Sequence, residues 1–167
     1  LVTIDNIYDF SLVKDQIISS DTVLTFDNNV KHLCKSAHIA TVDLKKILGV
    51  VDNSGQDYLD ITNLTSSFMR SLKEEVKQTY EHKSQIHIYD WFFYPLKISI
   101  DQVTLFRVAV EKSIEYLGVN LLFVRGDNNS LVYSEHLILK DSVSLLSIVA
   151  KDLIVKLNIE CQEYCIS

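Results

Sequence analysis

The chain has 167 residues, of which 47% are hydrophobic and 23% charged, with only four Gly and one Pro. This length suffices to bury about two thirds of the unfolded surface in one core, and the composition excludes a disordered, collagen-like or loop-rich chain. The net charge of −6, without a cluster of Lys or Arg, disfavours general nucleic-acid binding. We therefore expect one globular domain over residues 1–167.

Sequence features at the termini and the cysteine count bear on location. No apolar run reaches the 18 or so residues that span a bilayer, so no membrane span is expected. No signal peptide is recognisable, and the lack of an initial Met suggests a module of a longer chain or polyprotein. Three cysteines are an odd number and form no disulfide framework. A reducing compartment, the cytoplasm, is therefore predicted.

The first third of the chain has the spacing of a β-α-β unit. Apolar residues recur at intervals of three and four after Asp5, which predicts a helix. Asp43 is placed to cap a further short helix. The segments that follow the first helix are a strand over 22–26, a helix over 30–36, a strand over 38–42 and a helix over 44–48. This order predicts the start of a parallel sheet.

The middle third is organised around the aromatic stretch Gln85–Pro95. The stretch lies between two amphipathic patterns, Leu64–Tyr80 and Gln102–Leu117. Thr62 or Asn63 is expected to cap the first helix and Asp101 the second. Because both faces of the stretch are largely apolar, it is predicted to be a central strand covered on both sides and ended by its proline.

The last third predicts a hairpin and a closing helix. A strand over 119–124, a turn at 126–129 and a returning strand over 131–139 form an antiparallel hairpin. Asp141 is expected to cap a helix over 145–157, and an edge strand over 159–166 follows. The predicted fold class is α/β or α+β: a single domain with a mixed sheet, about four to six flanking helices, this C-terminal hairpin and the closing helix.

Several chemistries are excluded by the glycines. They stand at positions 49, 55, 118 and 126. At these positions neither the phosphate-binding pattern G-x-x-x-x-G-K-[ST] nor G-x-G-x-x-G can be written. The nucleophile pattern G-x-S-x-G is also impossible. Nucleotide binding by these loops and a typical α/β-hydrolase site are therefore excluded, and no cofactor is expected.

Metal binding has a weak signal. Cys161 and Cys165 are four residues apart and could join His136 or His38. A structural zinc site usually shows two such pairs, whereas here there is one. Free thiols are the expected state, and no metal site is predicted.

Nucleophilic and nuclease chemistry are also weakly signalled. His32 and Cys34 are two residues apart, which places them on different sides of a helix. Cys34 is therefore expected in the core. Asp127 and Glu135 resemble the acids of a metal-dependent nuclease, but the lysine of such a motif is missing. No catalytic residue is assigned.

The candidate binding residues belong to the aromatic stretch. They are His87, Tyr89, Asp90, Trp91 and Tyr94. In a strand, Asp90 would share a face with apolar neighbours, where a carboxylate without a partner costs several kcal/mol or takes up a proton. Asp90 is therefore the residue of this stretch that a core role does not explain.

Two functions follow from these observations. The first is a non-enzymatic protein-interaction or scaffold domain of a larger complex, with a protein partner or a second copy as its ligand. The motivation is a large apolar inventory beside no catalytic signature. The alternative is an enzyme or small-ligand-binding domain with a pocket beside the strand over 86–95. Whether the chain is an enzyme stays open, with the non-enzymatic function favoured.

Overall fold

The computed structural model describes residues 1–48, 56–81, 88–126 and 144–164, with backbone only at 56–62, 80–81 and 88–92. The strands are β1 (Val2–Thr3), β2 (Thr22–Leu24), β3 (Ala40–Thr41), β4 (Leu121–Arg125) and β5 (Glu160–Tyr164). The α-helices are α1 (Ile7–Val13), α2 (Asn28–Ser36), α3 (Leu44–Ile47), α4 (Gln56–Val76), α5 (Ile88–Leu117) and α6 (Leu145–Leu157). A 3₁₀ turn (Lys14–Gln16) extends α1, and a π-helical turn (Lys77–Glu81) extends α4.

The five strands form one sheet in the order β3-β2-β1-β4-β5, and every described pairing is parallel. The α/β class is therefore confirmed, whereas the mixed sheet is wrong for the described strands. Helices α1 and α2 cover one face through a core that includes Ile4, Phe10 and Val30. The other face carries α5 and α6 through Val110 and Leu153.

Local signals in the first third predicted the structure well. As predicted, the Asp43 carboxylate accepts hydrogen bonds from the first turn of α3, and Asp27, for which no cap was predicted, does the same for α2. Both are N-caps of the ordinary kind, in which a side chain replaces missing intrahelical acceptors. Cys34 is fully buried between α2 and the sheet, as expected. The β-α-β start of the sheet is confirmed.

The C-terminal antiparallel hairpin is wrong. The strand over 119–124 does exist as β4, but it pairs in parallel with β1 on one edge and with β5 on the other. A strand has only two edges, so β4 has no edge left for an antiparallel partner. The predicted partner over 131–139 and the cap Asp141 lie outside the described residues. Ser144 caps α6 instead, and the predicted edge strand is confirmed as β5.

The central strand over Gln85–Pro95 is also wrong. Residues 88–95 are the first turns of the 30-residue helix α5, with Pro95 inside it. Asp101 is therefore not a cap, and its carboxylate accepts a hydrogen bond from Lys97 one turn earlier, at 2.8 Å. Likewise α4 begins at Gln56, which places the expected caps Thr62 and Asn63 within the helix.

The two long helices form an antiparallel pair that extends beyond the sheet. Only the C-terminal half of α5, with Phe106, Val110 and Ile114, joins the core on the sheet. The preceding half packs on α4, where the Lys97 ammonium lies 3.4 Å from the Thr65 hydroxyl. None of the helices in the described ranges is long and apolar enough to cross a membrane.

Candidate functional site

The strand order creates a topological switch point at the carboxyl end of the sheet. From β1 the chain builds outward through β2 and β3, then crosses to the opposite side of β1 with β4 and β5. In open parallel sheets this reversal separates the connections on either side and opens a crevice, where ligands bind. Asp5 lies at this position, two residues beyond the end of β1.

A buried ion pair lies near this switch point. The Arg125 guanidinium, at the end of β4, donates a hydrogen bond of 2.8 Å to the Asp9 carboxylate on α1. The two side chains are 1% and 0% exposed. Ions withdrawn from water in this way require close partners, because the desolvation cost is several kcal/mol for each. The pair therefore fixes α1 against β4.

Hydroxyl groups extend the polar cluster across the sheet. The Ser147 hydroxyl accepts a hydrogen bond of 3.0 Å from the Arg125 backbone N–H and lies 3.3 Å from the Thr3 hydroxyl. The Tyr164 hydroxyl donates to the Thr3 carbonyl at 2.8 Å. Burial, together with the nearby carboxylates of Asp9 and Asp5, raises the pKa of Tyr164 strongly. Tyr164 is therefore a neutral hydrogen-bond donor that links β5 to β1.

Asp5 is the half-buried acid at the mouth of this cluster. Its carboxylate accepts a long hydrogen bond of 3.4 Å from the Leu146 N–H at the start of α6. Burial raises the pKa of Asp5, against the opposing effects of hydrogen bonds from Ser144 and Leu146 and of the Arg125 charge. An accessible carboxyl group with a raised pKa is suited to proton transfer or to binding a ligand cation or hydroxyl.

The raised pKa of Asp5 predicts a pH dependence of stability. The folded protein holds this proton more tightly, so the associated stability is present below the unfolded-state pKa and is lost as pH rises through the folded-state pKa. Relative to an Asp5→Asn variant, the wild type should therefore lose free energy of unfolding as the pH rises above about 4, the unfolded-state pKa of Asp, in urea titrations.

Asp152→Asn provides a control of opposite sign. A hydrogen bond from Lys156 lowers the pKa of Asp152, so the wild type should gain stability relative to that variant as pH rises. A wild-type minus Asp5→Asn difference that stays constant with pH would contradict the raised pKa.

A second surface lies between α4 and α5. Thr65 and Met69 of α4 are buried against α5, but Leu64 and Phe68, one position around the helix, are 65% and 54% exposed. Beside them is an open groove of about 480 Å³, lined by Leu64, Thr65 and Phe68 of α4 and by Ser99, Ile100 and Val103 of α5. We call this the α4–α5 groove. It is mostly apolar, and large exposed apolar patches usually mark binding surfaces.

The residues predicted from the aromatic stretch occupy a different place. His87 lies outside the described residues, and Tyr89, Asp90 and Trp91 lie in the first turn of α5, where only the backbone is described. Tyr94 is exposed and contacts Phe93 edge-on, with ring centroids 5.3 Å apart. Since this segment is helical, the strand-face argument for Asp90 no longer applies, and binding by these residues stays a prediction.

The other weak signals are resolved only in part. Cys161 is an exposed free thiol on β5, while its possible zinc partners Cys165 and His136 lie outside the described residues. Across the four described ranges, no group of three or more His, Cys, Asp or Glu side chains is arranged to hold a metal ion.

Sequence reasoning missed both surfaces. The signals for the switch point were an acid shortly after a short apolar strand, Asp5, and a charged residue that ends an apolar strand, Arg125. The stripe over Leu64 and Phe68 has the spacing of a buried helical face. Periodicity shows that a helix has an apolar face, but not whether this chain covers it.

The fold and these surfaces define an open α/β domain with a parallel sheet and a projecting pair of helices. Comparison of the chain with protein-family models, with curated proteins and with solved structures finds no match.

Proposed function

We propose that this chain is a non-enzymatic protein-interaction domain of a larger protein or complex, and that a partner docks in the α4–α5 groove. The observation that supports this proposal is the exposure of Leu64 and Phe68 beside an apolar groove. Burying apolar surface is favourable by about 25 cal/mol per Å². Large side chains left exposed on one face therefore provide binding free energy to a partner that covers them.

We also propose that the protein works in a reducing compartment. A reducing compartment such as the cytoplasm suits the free thiols of Cys34 and Cys161.

A groove variant tests the proposal directly. In Leu64→Ser/Phe68→Ser, recovery of specific crosslinked partners from native extract should fall at least tenfold, because truncating an interface anchor costs about 2 kcal/mol or more. The matched control is Ile148→Ser/Val155→Ser, which removes two exposed apolar side chains from the outer face of α6. Far-UV circular dichroism verifies that both variants fold.

If the groove variant and the α6 control recover the same proteins in the same amounts, the groove is not the docking face. Sedimentation velocity on the purified chain separates a heterologous partner from a second copy.

A small-ligand or enzymatic function is the second candidate, and the switch point favours it. The predicted pocket beside residues 86–95 depended on a strand, and residues 88–95 are helical instead. At the carboxyl end of the sheet, Asp5 lies near the buried Arg125. Thermal-shift screening against a metabolite panel tests this function. A ligand that raises the melting temperature of the wild type but not of Asp5→Asn would support it.

A further inference from the structure

Strand β5 has one edge that no described strand pairs with. In a parallel ladder, the peptide groups of a strand face its two sides alternately. The Glu160 N–H donates to the Asn120 carbonyl at 3.1 Å, which places the peptide groups of the even-numbered residues of β5 against β4. The N–H and C=O groups of Cys161 and Glu163 therefore point away from β4, along the outer edge of the sheet.

This outer edge of β5 is exposed. The first four of its five residues are exposed, and only Tyr164 is buried. The opposite edge strand, β3, has only two residues. A row of N–H and C=O groups without partners is a template for pairing with another chain. An extended segment supplies the matching groups, whereas a helix bonds its own backbone groups internally.

Acidic groups lie at the start of this edge. Glu160 and, in the last turn of α5, Glu115 are exposed, and neither carboxylate forms an ion pair with a described residue. Farther along β5, the Glu163 carboxylate is partly neutralised by Lys151, at 2.9 Å. The C-terminus of a helix carries about half a negative charge, and both α5 and α6 end beside Glu160. The start of the edge therefore attracts cations.

An open cavity of about 530 Å³ adjoins the first residue of β5. Its less exposed lining side chains are apolar, and most of its exposed ones are polar. The apolar set is Ile114, Val119 and Ile159, and the polar set is Glu115, Asn120, Asn158 and Glu160. Lysine and arginine have the same dual character, with an aliphatic stem and a charged head. The cavity therefore matches a basic side chain.

We infer that a basic segment of a partner protein binds along β5 in an extended conformation, as an added strand of the sheet, and places a lysine or arginine in this cavity. Its backbone pairs with the outward peptide groups of Cys161 and Glu163. Its basic side chain meets Glu160 and Glu115. The surface is separate from the α4–α5 groove, so the inference adds a second contact and the chemistry of its ligand.

The charges favour a basic partner over a second copy of the chain. Pairing two β5 strands would bring both copies of Glu160 and Glu163 together, and like charges on paired strands are destabilising. Charged side chains on edge strands prevent self-association in this way. The same carboxylates repel the phosphates of a nucleic acid. A basic extended segment gains from both the backbone groups and the side chains of this edge.

N-methylated peptides test the added strand without knowledge of the partner. The probe is a fluorescein-labelled eight-residue peptide in which Lys and Val alternate, and its binding to the full chain is measured by fluorescence anisotropy. One derivative carries four N-methyl groups on alternate amides, which leaves one edge able to pair. The other carries them on four consecutive central amides, which blocks both edges. We expect the second derivative to bind about tenfold more weakly, because it loses backbone hydrogen bonds.

Protein variants test the two parts of the surface separately. Glu160→Lys should weaken the probe several-fold, whereas Glu74→Lys, the same change at an exposed position of α4, should leave the Kd unchanged. Cys161→Pro removes an N–H that points away from β4, a position where an edge strand tolerates proline. It should also weaken the probe several-fold, and Cys161→Thr, which keeps the N–H, should not. Circular dichroism verifies that the variants fold.

Each outcome supports or overturns the inference. Equal binding of the two methylated peptides would overturn the added strand, and equal effects of Glu160→Lys and Glu74→Lys would overturn the acidic anchor. A concentration-dependent dimer that Cys161→Pro abolishes would assign the edge to a second copy and overturn the basic partner. Phe68→Ser alters only the α4–α5 groove and should leave the Kd of the probe unchanged, so this inference and the proposed groove contact fail separately.

Discussion

Replacing Arg125 by Met is expected to lower the free energy of unfolding by about 3–5 kcal/mol, because it removes one partner of a buried ion pair and leaves the other charge in a medium that solvates it poorly. The lost contact is the 2.8 Å hydrogen bond to Asp9, between side chains that are almost fully buried. Urea unfolding, followed by circular dichroism, measures the loss.

The pair Lys156–Asp152 offers a matched control. Its nitrogen–oxygen distance is also 2.8 Å, but the two side chains are 50% and 56% exposed. Lys156→Met should therefore cost much less stability than Arg125→Met, because solvent screens an exposed pair. If both single variants lose the same stability, burial is not what makes the Arg125 pair important.

A double variant separates the value of the pair from the cost of breaking it. Asp9→Leu/Arg125→Met removes both charges, and apolar replacements of buried pairs are often neutral or stabilising by about 1–4 kcal/mol. We expect it to recover most of the stability that Arg125→Met loses. Non-additivity in this cycle is expected, because the two residues are in contact.

The polar cluster around Arg125 also shows why sequence alone did not find the candidate site at the switch point. Asp9 and Arg125 are 116 positions apart, and no local pattern links residues so distant. The cap Asp43 was predictable, because the donors that it satisfies lie two and three residues away. The predictable part of this fold is therefore the part that short-range hydrogen bonds determine.

The prediction of strand pairing was wrong for the same physical reason. The sequence over 119–124 identified β4 correctly, because a short apolar run is a strong strand signal. The predicted partner over 131–139 was wrong, because proximity along the chain does not determine which strands pair. The structure instead pairs β4 with the N-terminal β1 and with β5. Parallel pairing requires such long connections, which leave no local trace in the sequence.

The prediction of a strand over Gln85–Pro95 was wrong because the composition of this stretch suits either a strand or a helix. A run that is apolar on both faces suits a buried strand or a helix, and aromatic residues favour strands mainly through packing. Pro95 cannot donate to a strand ladder, which favours a strand that ends at this residue. In the structure it is the eighth residue of α5, where the helix continues on both sides.

Pro95→Ala is therefore expected to raise the free energy of unfolding by up to about 3 kcal/mol, the cost of proline relative to alanine in a helix interior. Proline lacks the N–H that bonds to the carbonyl four residues earlier, and its ring collides with that carbonyl. The side chain of Pro95 is exposed, so the substitution removes little packing.

The same substitution discriminates between the two readings of residues 88–95. If Pro95 ended a strand, alanine would remove a stop signal and leave stability unchanged or lower. In a continuous helix, alanine restores a missing hydrogen bond, and both helicity and the urea midpoint should rise. Ser99→Ala, one turn later on an exposed position of α5, should change stability by at most about 0.7 kcal/mol. A gain confined to Pro95→Ala would show that α5 is the unbroken support on which the α4–α5 groove depends.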